Sequence, residues 1–258
     1  MNSRNIPREA VDAAKELKEQ LHHQLAGVYL YGSAVMGGLR VNSDVDVLVL
    51  CNQSLSDKTR RELAGRLMRV SGQIGNQDGV RPLEVTVVNL QDIVPWRFPP
   101  RQELLYGEWL RKQFEDGIIP QPTSNPDLAI LSAQARQNSL SLYGPNLPEL
   151  IEPVPEMDIR KAIRESLPGL LSCLRGDERN VILTLVRMWL TASTGEILSK
   201  DRAAEWAIPR LSNDHAALLS LARKGYLGEC MDEWEGKDLE LAHFVSFMKE
   251  SIETCLEP

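Results

Sequence analysis

Several kinds of chemistry are absent from this sequence of 258 residues. Its four cysteines (Cys51, Cys173, Cys230, Cys255) show no Cys-x-x-Cys spacing, and its four histidines (His22, His23, His215, His243) make no zinc-like cluster. A structural zinc site and a disulfide framework are therefore set aside, and the thiols are expected to stay reduced in a cytosol. No run approaches the ~18 apolar residues that would span a membrane. The opening MNSRNIPREAVDAAKELKEQ is charged and lacks the apolar core of a signal peptide. A soluble, cytoplasmic protein with no membrane partner is expected. A basic excess is missing too: 29 Lys and Arg stand against 36 Asp and Glu, a net charge of −7. A nucleic-acid binder would show a basic face. Nucleic acid is thus not an expected partner, whereas a cationic small molecule is compatible. Repeats, low-complexity tracts and long charge runs are lacking as well.

What is present is an ordinary globular composition, 43% hydrophobic and 25% charged, in a chain long enough for one large or two modest domains. The informative stretch is Val28 to Leu50, VYLYGSAVMGGLRVNSDVDVLVL. Val28 to Tyr31 is β-branched and aromatic, which suits a strand. Gly32 allows a tight turn, and Ser33 follows at the start of a short helical piece. Such an end presents free N–H groups and can hold a phosphate. Gly37 and Gly38 stop that piece, Asn42 and Ser43 turn, and a second strand opens on Asp44-Val45-Asp46. Residues two apart in a strand share a face, so Asp44 and Asp46 stand side by side. Two adjacent carboxylates repel, and a hard divalent cation relieves that. Mg²⁺ favours one or two carboxylates plus phosphate oxygens and water. Either half alone is also common turn chemistry. In order, with a strand on each side, the two are more specific and describe a site for a nucleoside triphosphate.

Elsewhere, apolar spacing predicts helices over about Pro7 to Leu25 and over Ser56 to Ser71. Leu83 to Val88 reads as a strand, with Glu84 facing away from Leu83, Val85 and Val87. Glu84 is either a surface residue of an edge strand or a third carboxylate joining Asp44 and Asp46. A helix carrying Trp109 is expected from Arg101 to Asp116, and another from Asn125 to Ser141, with Asp127 offsetting the dipole in its first turn. Tyr143 to Pro155 holds four prolines and reads as a linker between an α/β domain, 1–155, and an all-helical domain, 156–258. In the second domain Asp158 to Leu174 is a helix interrupted at Pro168-Gly169. Asp177 is an N-cap candidate for the helix that follows, which ends at Gly195. Arg187 lies off that helix's apolar stripe. Lys200 sits in the first turn after Ser199, where a cation opposes the dipole unless a phosphate or solvent favours it. Leu211 to Tyr226 and Asp238 to Thr254 complete the helices.

Gly-Ser followed by Asp-x-Asp resembles the nucleotidyltransferase superfamily related to DNA polymerase beta. Longer strings extend the likeness over nearly the whole chain: LEVTVVN, VPWRFPPRQELLYGEWLR, GDERNVILTLVRMW, TGEILSKDRAAEWAIP and ARKGYLGEC. They resemble the adenylyltransferases that modify streptomycin and spectinomycin. The resemblance implies a mixed-sheet nucleotidyltransferase domain and a C-terminal helical bundle, with ATP and the antibiotic in the cleft between them. It implies Mg²⁺ on Asp44, Asp46 and Glu84, with Glu84 as general base. Ser33, Ser43, Asp127, Arg187, Lys200 and Tyr226 would serve the nucleotide, and Trp109, Asp177 and Glu84 the drug. Members that accept both drugs carry a Trp and an acidic residue in a longer loop before Gly-Asp-Glu. Here Leu170 to Arg175 is shorter and lacks both. The resemblance therefore implies the branch that modifies only spectinomycin, at its 9-hydroxyl, and a monomer is expected. Activity on both drugs is one alternative, and a protein or RNA acceptor another. A catalytically idle module that binds a partner protein is a third, although its carboxylates would be expected to erode.

Overall fold

The computed structural model describes residues 6–40 and 43–257, so the expected turn at Asn42 and the first five residues lie outside it. The chain divides into two compact units. One runs to Leu39 and again over Ser43–Val154; the other holds Arg40 and the chain from Pro155 onward.

The first unit opens with α1 (Arg8–Leu21), followed by β1 (Leu25–Leu30) and β2 (Val45–Cys51). Next come α2 (Asp57–Val70), β3 (Leu83–Asn89), the short α3 (Leu90–Ile93), β4 (Arg101–Gly107) and α4 (Arg111–Glu115). It closes with β5 (Thr123–Ser124), α5 (Asp127–Gln137), β6 (Leu140–Tyr143) and α6 (Leu147–Leu150). The six strands form one mixed sheet in the order β5-β4-β3-β2-β1-β6. Only β2 and β3 run parallel, and α2 makes the crossover between them. Ser56 caps α2, its hydroxyl accepting the Thr59 N–H at 3.1 Å.

Alternation divides the sheet's side chains between two cores. Val45, Val47, Val49, Cys51, Val85 and Val87 pack with Ala10, Leu17, Leu63 and Leu67 of α1 and α2. Tyr29, Leu48, Leu50 and Val88 face the other way, onto Leu128 and Ala135 of α5 and Leu147 of α6.

Several expectations are corrected. Arg101–Gly107 is a strand, not the start of a helix carrying Trp109. Its residues favour a helix, but antiparallel pairing with β3 from Gln102 to Gly107 overrides that preference. Glu84 consequently sits on a central strand, not an edge. The expected helix to Ser141 ends at Gln137, and Leu140–Tyr143 pairs with β1, so Tyr143 belongs to the sheet and not to a linker. The helix expected to reach Leu25 stops at Leu21.

The second unit is helical: α7 (Glu156–Ser172), α8 (Glu178–Thr194), α9 (Lys200–Ala207), α10 (Asn213–Leu227) and α11 (Asp238–Leu256). Pro168 does not interrupt α7; it lies on an exposed face, where solvent reaches the carbonyl its ring leaves unbonded. Because α7 runs on to Ser172, the expected loop from Leu170 reduces to Cys173–Gly176. Gly195 ends α8 at φ 75°, in the left-handed region that glycine adopts without penalty. Among the described residues no helix is long and apolar enough to cross a membrane.

Candidate active site

In the first unit, the ends of four neighbouring strands place their residues in a row. The Tyr31 N–H, just past β1, donates to the Asp46 carbonyl at 3.1 Å. Asp46 on β2 is the ladder partner of Glu84 on β3, and Glu84 is the partner of Gly107 at the end of β4. Strands lie about 4.8 Å apart, so this row spans roughly 14 Å from Tyr31 to Gly107. Parallel pairing puts the side chains of Asp46 and Glu84 on one face, the face of Leu48 and Leu50. Asp44 immediately precedes β2. The next residue, Val45, already donates its N–H to the Pro82 carbonyl at 2.8 Å, so the chain is held beside β3 from this point.

The Gly-Ser turn closes one end of the row. Gly32 has φ +66°, and a Cβ built on it would meet Asp46 Oδ2 at 2.0 Å. No other residue type fits there without displacing that carboxylate. Ser33 follows in a 3₁₀ turn, Gly32–Ala34, rather than at the start of an α-helix. Its Oγ is buried and has no hydrogen-bond partner among the described residues. A buried hydroxyl without a partner is costly, and an oxygen-rich ligand satisfies it. Ser43 is buried, and its carbonyl accepts Arg81 Nη1 at 3.1 Å.

Trp109 closes the other end. It lies in the turn Glu108–Leu110 and is 51% exposed. A Cβ on Gly107 would come within 2.4 Å of its ring, so the indole rests over the residue opposite Glu84. Asp127 is exposed at the first position of α5, where its N–H donates to Asn125 Oδ1 at 3.0 Å. Cys51 lies farther along β2, buried; burial and the nearby Glu103 push its thiol up to about 12. It is no nucleophile.

Among the described residues, no three His, Cys, Asp or Glu side chains gather into a metal cluster. Magnesium is usually held by one or two carboxylates together with substrate phosphates, not by an all-protein cage. The Asp-x-Asp strand start, beside the glycine cradle and the unpartnered Ser33 Oγ, fits an ion of that kind.

In the second unit a residue that the sequence reading missed joins two that it named. Lys200 Nζ donates to Asn180 Oδ1, and Asn180 Nδ2 donates to Asp177 Oδ2 at 2.9 Å. Asp177 occupies the N-cap position of α8, but its carboxylate takes this amide and no backbone N–H. Likewise the Ser199 side chain makes no cap bond to α9; it reaches Asp201, the residue after Lys200. Asp201 also accepts Arg40 Nη2 at 3.0 Å. Burial raises its pKa, but Ser199 and Arg40 together outweigh that and hold it below the usual carboxylate range. Arg187 follows Asn180 by seven residues, on the same half-exposed side of α8, and Tyr226 is half-buried near the end of α10.

Known proteins carry the same parts. Residues 15–98 match the family model Polymerase beta, Nucleotidyltransferase, and residues 149–251 match Aminoglycoside adenylyltransferase, C-terminal domain. A spectinomycin 9-adenylyltransferase of Staphylococcus aureus is 57% identical over 97% of this chain and 96% of its own. One from Campylobacter jejuni is 46% identical over 99% of each. The crystal structure of a spectinomycin adenyltransferase from Enterococcus faecalis with ATP and spectinomycin superposes with a TM-score of 0.90 at 36% identity, covering 96% of this chain and 99% of that one. With its sheet, its Gly-Ser and Asp-x-Asp row and its helical second unit, the chain belongs to the family of the spectinomycin 9-adenylyltransferases, aminoglycoside adenylyltransferases with a polymerase beta-type nucleotidyltransferase domain.

Proposed function

We propose that the protein transfers AMP from ATP to the 9-hydroxyl of spectinomycin and releases pyrophosphate. The observation that carries this reading is the row Tyr31, Asp46, Glu84, Gly107, with Gly32 close against Asp46, a buried serine hydroxyl that has no partner among the described residues at one end and an exposed indole at the other. The nucleotide phosphates belong at the Ser33 end and the acceptor at the Trp109 end. Full-length likeness to proteins named for this activity supports the same assignment.

Asp44 and Asp46, with Glu84 beside them, would hold Mg²⁺, which when bound offsets negative charge on the phosphates. Glu84 takes the proton of the 9-hydroxyl as that oxygen bonds to the α-phosphorus and the bond to the β-phosphate oxygen breaks. Ser33 and Ser43 donate to phosphate oxygens. Arg187 and Lys200 neutralise the departing pyrophosphate, and Asp127 and Tyr226 orient the nucleotide. Asp177 and Trp109 contact the antibiotic, the first through its charge and the second through its ring face. The short Cys173–Gly176 connection offers no aromatic anchor to a larger drug. The protein works as a monomer in the cytoplasm and needs no nucleic acid.

Pyrophosphate release tests this directly, with ATP and Mg²⁺ plus spectinomycin, streptomycin or neither. Release with spectinomycin alone is expected. Equal release with streptomycin would overturn the specificity, and no release with either would overturn the activity.

A further inference from the structure

The turn that carries Trp109 is gripped from the opposite face of the sheet. Tyr106 and Gly107 end β4 and point to opposite sides. The Tyr106 ring is stacked on Phe114 at 5.4 Å, in the core shared with α1 and α2. Glu108 turns its side chain back under the sheet and is only 6% exposed. There its Oε1 accepts the Tyr106 hydroxyl at 2.5 Å and Arg111 Nη2 at 2.9 Å, and its Oε2 accepts Arg111 Nε at 2.6 Å. Arg111 Nη2 also donates to the Met68 and Ser71 carbonyls at the end of α2, at 3.0 and 3.3 Å. The Ser71 hydroxyl is hydrogen-bonded to Glu108 and accepts the N–H of Leu83, the residue before Glu84, at 2.9 Å. One buried carboxylate thereby ties the Trp109 turn to the strand start that carries Glu84.

A buried ion pair of this kind adds little net stability against an apolar filling; what it supplies is fixed geometry. Half of Trp109 lies open to solvent and has little packing of its own to hold it. An aromatic anchor binds best when its orientation is set before the ligand arrives.

We propose that Glu108 is a positioning residue for antibiotic recognition: gripped by Arg111, Tyr106 and Ser71, it fixes the Trp109 indole over Gly107 so that a drug stacked there presents its hydroxyl to Glu84. This rests on the assignment of Trp109 to the drug and of Glu84 to the proton. Glu108 touches neither substrate and acts only through its neighbours.

A double-mutant cycle between Glu108→Gln and Trp109→Ala tests it, with KM measured separately for spectinomycin and ATP. Glu108→Gln is expected to raise KM for spectinomycin about tenfold and leave KM for ATP unchanged. In the Trp109→Ala background it is expected to have no further effect. Multiplying effects, or an equal rise in both KM values, would overturn the positioning role while leaving Trp109 as a drug contact. An unchanged KM for spectinomycin in Trp109→Ala alone would overturn the drug-contact assignment, and the proposal with it. Should Glu108→Gln not fold, Tyr106→Phe removes one bond of the grip and passes through the same cycle, with an expected rise of about threefold.

Discussion

The two faces of the sheet are built by the same strands, yet one is closed along its length and the other is open at one end. On β2, Val45, Val47, Val49 and Cys51 are all sealed under α1 and α2. One residue out of phase, Leu48 and Leu50 are sealed equally well under α5 and α6, but Asp46 is only half-buried. Polar groups differ in the same way. Near the closed face Glu108 finds Arg111 and Tyr106 within the protein. Glu103 Oε1 and Arg60 Nε lack a partner among the described residues, but Glu103 Oε2 accepts the Leu55 N–H at 3.0 Å and Arg60 Nη1 donates to the Leu55 carbonyl at 2.6 Å. The single side-chain oxygen of Ser33 at the open end, by contrast, finds no partner among the described residues. On the closed face each of these buried side chains keeps at least one protein partner, and folding alone supplies it. A face that ends in carboxylates and an unpartnered hydroxyl is finished by a ligand.

The sharpest break in that contrast is expected at Glu84. Glu84→Gln keeps the shape and removes the base, so turnover should fall by about 10³-fold or more, within the range for a positioned proton acceptor. ATP binding by calorimetry should change little. Equal loss of binding and turnover would make Glu84 a ligand and not the base. The next largest effect is expected at Gly32. Gly32→Ala forces a Cβ onto a φ of +66° and to 2.0 Å from Asp46 Oδ2. The strained backbone costs about 1–2 kcal/mol. Displacing the carboxylate should lower turnover roughly a hundredfold. Thermal unfolding and kinetics read the two losses separately, and a variant with normal turnover would show that Asp46 need not stay where it is.

The closed face gives a smaller, pH-dependent effect. Burial pushes the Glu108 pKa up, but hydrogen bonds from Arg111, Ser71 and Tyr106 and the guanidinium charge outweigh it and hold the carboxyl below its ordinary value. A carboxylate with a depressed folded pKa contributes stability above its unfolded pKa and loses it as pH falls through the folded one. Glu108→Gln should therefore cost about 1.5–3 kcal/mol at neutral pH, the scale of a hydrogen bond to a charged group. Its melting temperature should converge on that of the parent as pH drops through the acid range. A gap that stays constant with pH would mean that Glu108 charge plays no part.

Much of the open end was legible because its signals are local. Gly32-Ser33 and Asp44-x-Asp46 are short patterns, and strand alternation alone predicts which way Glu84 faces. What was not legible depends on partners distant in sequence. Arg101–Gly107 contains good helix formers and becomes a strand because β3 lies beside it. That misreading put Trp109 on a helix and hid the pairing of Gly107 with Glu84. Asn180 and Arg111 were missed although each lies three residues from its partner, Asp177 and Glu108 respectively. That spacing brings side chains together on a helix or in a turn, but it does not say which pairs matter. The bridge from Asn180 to Lys200 crosses between α8 and α9, and no spacing rule announces it.

The smallest effect belongs to a glycine that does no such work. Gly65 lies inside α2, half-exposed, and a Cβ there would meet nothing within 4 Å. Glycine in a helix interior costs about 0.5–1 kcal/mol relative to alanine, because it gives up more backbone freedom on folding. Gly65→Ala should raise stability by that amount and leave kcat and both KM values unchanged. Gly32→Ala adds the same methyl group and should lose both. If Gly65→Ala also slowed turnover, α2 would transmit strain from the closed face to the carboxylates, and the two faces would not be as separate as their packing implies.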